Sequence, residues 1–533
     1  MSYDATELAV FIILVGAVMV SGFIASRWRR GDLSLLEEWG LAGRRFGTLI
    51  TWFLLGGDLY TAYTFIAVPA LVFGSGAIGF FAVPYTLLVY PIVYVTMPRL
   101  WNVARRRNHI TAADYVKDRF SSPLLALLIA ITGFLATMPY IALQIVGMGY
   151  VLDVMGLPAE YSLIITFLIL AAYTYVSGLR APALTAVIKD IMVLLAVFVG
   201  IVYIPLRLGG FAHVFQSVPA TKLTLPPKLY LDYATLALGS ALALFLYPHA
   251  VTGTLSSSSS KVVRRNAAML PVYSIMLAFI AIFGWVGLAA GLKLKSPNLV
   301  VPVLFNNYFP DWFTGFAFAA ISVGSLVPAS VMSIAAANLF SRNIYKEYLD
   351  KRADLKRESN VSKVVSFLVK VGALVFAIYA PTYAIQLQLA GGAWIIQTLP
   401  AVMLSLYTDK LNKYSIIAGW VVGMSTASYM LAVNKFAASA YVPRFFGLSV
   451  PMYIAVISLI LNLVVVLVGT LIAHAMGQRA KSPILEEEFQ DQAPSAQTQA
   501  AGGKQLTAED HPREEPSRLK PISTFYITLL VGG

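Results

Sequence analysis

Short polar loops punctuate an otherwise apolar chain up to about residue 476. A helix needs about 20 apolar residues to cross the hydrocarbon core of a bilayer. Windows of that size predict thirteen spans, at 7–27, 46–73, 77–98, 123–153, 159–176, 182–206, 233–255, 268–292, 312–338, 363–381, 383–405, 414–433 and 449–476. The stretch 123–153 is long enough to tilt or to extend past the membrane. The runs on either side of Pro381 are almost continuous. The predicted class is therefore an all-α polytopic membrane protein, with residues 1–476 as its transmembrane domain.

One span carries its own interruption. Gly56-Gly57-Asp58 lies in the middle of 46–73. Paired glycines weaken a helix, and a carboxylate at membrane depth is costly unless it faces a protein-lined or watery cavity. A broken helix with a charge at its break is a common way to build a transport site. Tyr60, Thr61, Tyr63 and Thr64 follow at once. Their hydroxyls suit a small carboxylate, together with the free N–H groups of a half-helix N-terminus. They equally suit bonds to backbone or to neighbouring helices.

Composition sharpens this picture. Hydrophobic residues make up 58% of the 533 and charged residues only 12%, against about 25% charged in a soluble globule. There are no cysteines, which excludes disulfides and cysteine-based metal or redox sites. The net charge of +13 does not point to nucleic acid, because the basic residues lie between spans. Loops on one side of the thirteen-span arrangement hold 24 Lys and Arg, and the opposite loops hold 7. Positive-inside asymmetry then places the N-terminus outside and the C-terminal tail in the cytoplasm. The first apolar run is expected to be a retained span, since it is long and lacks a small-residue cleavage site. Residues 477–533 are rich in Gln, Ala, Glu, Pro and Ser and predict a disordered cytoplasmic tail. The final apolar run, 522–531, is too short to span.

Five motifs in order carry a resemblance to the sodium:solute symporter family. They are Leu41-Ala42-Gly43-Arg44, the Thr111-to-Phe120 loop, Tyr175-Val176-Ser177-Gly178 with Lys189-Asp190, Tyr247-Pro248-His249 with the basic run Lys261 to Arg265, and Asn338-Leu339-Phe340-Ser341-Arg342-Asn343-Ile344-Tyr345-Lys346. The segments from Gly56 to Phe65 and from Ser333 to Tyr348 look most like its monocarboxylate permease branch. The resemblance implies a LeuT-like core of two inverted five-helix repeats, about 46–206 and 233–405, each opening with a helix unwound near the midplane. It implies a secondary-active symporter importing lactate, pyruvate, acetate or propionate by alternating access. Gly56-Gly57 and Tyr247-Pro248-His249 stand where the two breaks are expected.

The resemblance also suggests site residues. Substrate would meet Gly57, Asp58, Tyr60, Thr61, Tyr63, Thr64, Tyr247 and His249. His249 is either a proton-linked or carboxylate-binding group or a packed core histidine. The coupling ion would meet backbone oxygens of Gly57 and Tyr60, with Asp58, Gly324 and Ser325. The hydroxyl pair that usually completes the sodium site falls on Val327-Pro328, which offer no side-chain oxygen. Coupling is thus expected to be to protons, with Asp58 as candidate carrier, or to sodium held elsewhere. Asp190 beside Lys189 is a candidate gate or proton path, or a structural ion pair, although consecutive helical residues do not face each other. Lys370 is expected to snorkel to the cytoplasmic surface. Gln386, Gln388, Trp394 and Gln397 line the pathway or bond between helices. The serine run Ser256 to Ser260 predicts a flexible cytoplasmic turn. No cofactor is expected beyond Na+ or H+ as coupling ion. The expected partners are a small carboxylate and membrane lipid.

Other classes are a symporter for an amino acid or another solute, a transporter-like sensor, and a membrane enzyme. The tail is too short and polar for an output domain. The spans hold no metal-ligand cluster, His-x-x-x-His spacing or nucleophile elbow, so catalysis is not expected.

Overall fold

The computed structural model describes residues 4–25, 27, 31–57, 60–157, 161, 164–165, 167–171, 178–379, 385–443, 450–478 and 482–491. Among these, regular structure is helical apart from one two-residue ladder, Ala440–Tyr441 against Met452–Tyr453. Helix α1 is Ala5–Ala25. The predicted second span is broken: α2 covers Thr48–Gly57, a wide turn covers Tyr63–Ala67, and α3 covers Val68–Ser75. Then come α4 (Ala82–Arg106), α5 (Pro123–Val154) and α6 (Arg180–Arg207). The predicted seventh span is also broken, into α7 (Tyr230–Leu244) and α8 (Pro248–Leu255), bent by 47°. The rest are α9 (Pro271–Ala289), α10 (Asp311–Leu339), α11 (Leu355–Tyr379), α12 (Ile385–Ile395), α13 (Lys413–Val433) and α14 (Ile454–Ala475).

Polar residues punctuate the ends as end-capping chemistry requires. Ser122 accepts from Leu125 N ahead of Pro123 at the start of α5. Asn412 accepts from Tyr414 N and Ser415 N at the start of α13. Ten helices among the described residues are long and apolar enough to cross a membrane, or eleven with the bent pair. One is the 44-residue stretch Tyr63–Arg106, about twice a bilayer's thickness at about 1.5 Å per residue. Gly76 divides it, at φ +78°, where a β-carbon would stand 2.7 Å from Lys222 O. Thirteen crossings are not confirmed: the predicted span 159–176 and the junction at Pro381 lie largely outside the described residues.

Helix α10 is the axis of the bundle. Its whole apolar window is buried, against α1, α5, α6, α8 and α11. At the rim, α13 and α14 pack on each other. Ile460, Val464, Leu467, Val468, Leu471 and Ile472 of α14 are exposed. Such a continuous apolar surface belongs against lipid, not water. Loops counted on the basic side do meet: Arg44 pairs with Glu37 at 2.9 Å, Arg180 with Glu38, and Lys117 with Glu347 at 2.7 Å.

Two expectations for this end are corrected. The serine run is not a loose turn. Ser256 and Ser257 are fully buried, Ser258 N donates to Phe46 O at 2.8 Å, and Phe46 N donates to Ser256 O at 3.2 Å. The run supplies partners that the chain ahead of α2 lacks. The tail likewise does not become featureless at 477. Over 482–490, Phe489 and Ile484 are buried, and Asn102 Nδ2 donates to Phe489 O at 3.0 Å. Arg107 grips Glu488 through both carboxylate oxygens, each at 2.7 Å. Those bonds hold the Glu488 carboxyl below its ordinary range. A short apolar anchor and complementary charge order a segment whose composition alone predicts disorder. Residues 492–533 lie outside the described residues.

Candidate transport site

The first break opens a gap that a lysine fills. Where α2 stops, Lys189 Nζ donates to Gly57 O at 2.7 Å and to Tyr60 O at 3.1 Å. It also lies 3.0 Å from Asp190 Oδ1. An ammonium has three N–H donors and no acceptor; two bond to the carbonyls, and the carboxylate supplies the counter-charge. Both side chains are 0% exposed. Tyr273 of α9 donates to the second oxygen, Asp190 Oδ2, at 2.7 Å, and its ring lies 4.6 Å from that of Tyr60. The glycine pair is dictated by this crowding. A β-carbon on Gly57 would stand 2.8 Å from Lys189 Nζ, and one on Gly56 would meet the Tyr273 ring at 2.3 Å. Consecutive residues on α6 pair here because the long lysine stem folds back into the gap that α2 leaves.

Beyond the gap, the chain restarts under side-chain control. Gln144 of α5 accepts from Ala62 N at 2.9 Å, and Thr61 Oγ1 accepts from Tyr63 N at 3.0 Å. Thr61 therefore caps the restarted helix in this conformation instead of presenting a free hydroxyl. Thr64 is buried. Asp58 lies outside the described residues.

The second break gathers aromatic rings. Pro248 supplies the fixed φ of a first helical turn, and α8 begins with no side-chain cap. His249 is fully buried, and neither ring nitrogen has a protein partner. Its ring lies 5.5 Å from that of Tyr140 and 5.3 Å from that of Tyr247. Tyr247 donates to Gln388 O at 3.1 Å, and Tyr453 to Leu389 O at 2.6 Å. The Tyr63 hydroxyl is buried without a partner, its ring 6.1 Å from Tyr85. Gln388 Oε1 is also buried without a partner. An orphaned buried polar atom costs about 1–3 kcal/mol. Several around one break mark a place for a polar ligand or water. Beside Pro248 a narrow cavity continues between Thr111, Gly133, Thr252, Ala335 and Thr398. Its volume of ≈ 20 Å³ is room for about one water.

Helix α10 approaches the first break at Gly324. A β-carbon on Gly324 would lie 3.8 Å from Tyr60 O. Ser325 Oγ donates to Ile321 O of its own helix at 3.1 Å. Val327 and Pro328 are buried. Ser322 Oγ is buried without a partner. Lys370 does not snorkel: it is 1% exposed and donates to Ser366 O at 3.0 Å and Ser366 Oγ at 3.1 Å. Gln397 bonds between helices, donating to Ser458 Oγ at 2.9 Å, and Trp394 donates to Ser428 Oγ at 3.2 Å.

The structure thus joins Gly57, Tyr60 and Asp190 through Lys189, and gathers Tyr247 and His249 near Tyr140. Sequence reasoning missed Tyr273, Gln144, Tyr140, Tyr85 and Tyr453. Membrane tyrosines favour the interfacial belts, so tyrosines at mid-span were the available signal.

An apolar helical bundle whose two broken helices hold buried polar groups defines a membrane transporter of the solute-symporter class. The chain belongs to the sodium:solute symporter family, whose model matches residues 39–423. It is 53% identical over 437 residues to a monocarboxylate transport permease protein of Rhizobium johnstonii, covering 80% of this chain and 89% of that one. It is 36% identical over 467 residues to the uncharacterized symporter YodF of Bacillus subtilis, covering 86% of this chain and 94% of that one. Among solved structures, it resembles a Na+-coupled sialic acid symporter in a substrate-bound outward-open state. The TM-score is 0.73 at 16% identity, covering 90% of this chain and 100% of the other. That likeness shows the fold, which is the LeuT-like one expected.

Proposed function

We propose that the protein is a cation-coupled symporter that imports small monocarboxylates of the lactate, pyruvate, acetate or propionate type. The observation that carries this is the pair of buried polar groups without protein partners, the His249 imidazole beside the second break and the Tyr63 hydroxyl, both able to donate. A small carboxylate has the acceptors for the hydroxyl and for imidazole N–H, and the apolar rings of Tyr140 and Tyr247 suit a short aliphatic body. The uncapped N-terminus of α8 adds positive field without needing an arginine. The likeness to a monocarboxylate permease protein supports the same class.

Transport would proceed by alternating access, the two broken helices sharing a site that opens first to one side and then to the other. Repeats at about 46–206 and 233–405 provide the moving halves. Asp58 follows the first break directly and is the candidate to orient substrate or carry a proton. The convergence of the basic loops supports the N-terminus outside and the C-terminus in the cytoplasm of the inner membrane. The test is counterflow in proteoliposomes loaded in turn with acetate, lactate, pyruvate, alanine or proline. The proposal expects labelled pyruvate to be trapped by the first three. Exchange with alanine or proline alone would overturn it.

A further inference from the structure

The two backbone oxygens at the end of a broken helix form a cation site, and in this protein the cation is part of the chain. Gly57 O and Tyr60 O sit at the C-terminal, negative end of α2 and just past it. They accept from Lys189 Nζ at 2.7 and 3.1 Å. We propose that Lys189 is a tethered cation standing where the coupling ion would bind, its ammonium tying the end of α2 to α6, so that no sodium ion enters there. This rests on the symporter reading above.

Three independent features carry it. The ammonium donates to Gly57 O and Tyr60 O and pairs with the Asp190 carboxylate, leaving those carbonyls engaged. A second monovalent cation on them would sit against the lysine charge. Helix α10 approaches Tyr60 O at Gly324, which has no side-chain oxygen, and Val327-Pro328 further along the helix have none either. Finally, the pair is built into a packed frame: Tyr273 fixes Asp190 Oδ2 at 2.7 Å, and the glycine pair makes room for it.

The groups that face the pair are few. Tyr273 comes from α9, Tyr60 from the segment beyond the break, and Tyr90 of α4 lies within electrostatic reach of both. Helix α10 carries no ionisable side chain after Asp311, and α2 carries none. Glu7 of α1 lies beside Gly315, well along α10 from Gly324. Asp58 lies outside the described residues.

The experiment uses the full chain in proteoliposomes, with labelled pyruvate as probe and the proton and sodium gradients imposed separately. An inward sodium gradient is expected to drive no accumulation above equilibrium. Lys189→Arg keeps a cation in the gap and is expected to stay indifferent to sodium, with thermal unfolding reporting whether the variant folds. Separately, sodium should not raise the melting temperature of the purified wild-type protein, a readout that needs no substrate. Sodium-driven accumulation or sodium-dependent stabilisation of the wild-type protein would each overturn the proposal. Absence of pyruvate counterflow without any gradient would instead count against the monocarboxylate reading, leaving the sodium-binding result to judge this one.

Discussion

A single methyl group at Gly57 tests whether the lysine grip matters to transport. In Gly57→Ala the new β-carbon would stand 2.8 Å from Lys189 Nζ and 3.6 Å from Asp190 Oδ1. The first distance is too short for contact, so the ammonium must move by several tenths of an ångström. It cannot move freely, because three oxygens hold it at 2.7, 3.1 and 3.0 Å. A hydrogen bond to a charged group is worth about 1.5–3 kcal/mol. Alanine recovers up to about 1 kcal/mol of helix propensity at the end of α2. The net weakening of the grip is therefore about 1–2 kcal/mol, or roughly 5- to 30-fold in any equilibrium that depends on it. The assay is the initial rate of pyruvate counterflow in proteoliposomes, corrected for reconstituted protein. Gly47→Ala is the matched control, since nothing lies within 4 Å of a β-carbon there. We expect Gly57→Ala to fall by that factor and Gly47→Ala to stay within twofold of wild type. Equal rates for Gly57→Ala and wild type would refute the reasoning, because the two could coexist only if the lysine contact were idle.

Other outcomes follow from the same geometry. Gln144→Leu removes the acceptor of Ala62 N and should cost about 1–3 kcal/mol, seen as a lower melting temperature, while Gln144→Glu, which keeps that oxygen, should lose less. Tyr63→Phe deletes a hydroxyl that has no protein partner, so its melting temperature should hold or rise while the half-saturation concentration for pyruvate increases; unchanged half-saturation would remove Tyr63 from the site. For the 482–490 segment, the carboxyl of Glu488 is held below its ordinary value of 4.5 by the Arg107 bonds. The stabilisation it gives is therefore present above that value and is lost as pH falls through the depressed one. The protection factors of the 482–490 amides against hydrogen exchange should be high at neutral pH and fall in acid, with those of Glu488→Gln already low at pH 7.

Much of the bundle can be read from the chain because lipid imposes one rule on every span. Apolar runs of sufficient length become helices, and the breaks fall at Gly56-Gly57 and before Pro248, where backbone chemistry permits them. The clusters were less legible. Tyr140, Tyr247 and His249 come from two elements whose approach depends on the bend between α7 and α8, and no spacing within either element encodes it. Gln144 looks like one more polar residue in an apolar helix until the restart at Ala62 presents an N–H that needs it. The serine run and the 482–490 segment fail for a related reason. Their composition reports that they cannot build structure alone, and says nothing about neighbours with unmet needs. Phe46 lacks backbone partners until Ser256 and Ser258 arrive, and Arg99, Arg106 and Arg107 form a basic ridge until Glu486 and Glu488 reach it.

Lys189 is the sharpest case, and it shows why a missing hydroxyl and a present lysine should be read together. Val327-Pro328 removes oxygen from one side of a cation position, which by itself says only that sodium would be poorly held. Two carbonyls at the end of α2 would then be buried without a partner, and orphaned buried acceptors are costly. Some donor must cover them. Among the described residues of α2, α6, α9 and α10, the ionisable donors placed at the gap are Lys189 and the Tyr273 hydroxyl, and Tyr273 is committed to Asp190. In the proposal above, Val327-Pro328 on α10 and the lysine on α6 act together, a tethered cation standing in for a bound one, although they stand far apart in the chain. Asp190 follows from the lysine, since a buried ammonium needs a counter-charge, and the neighbouring position on the same helix supplies it with the least added reach.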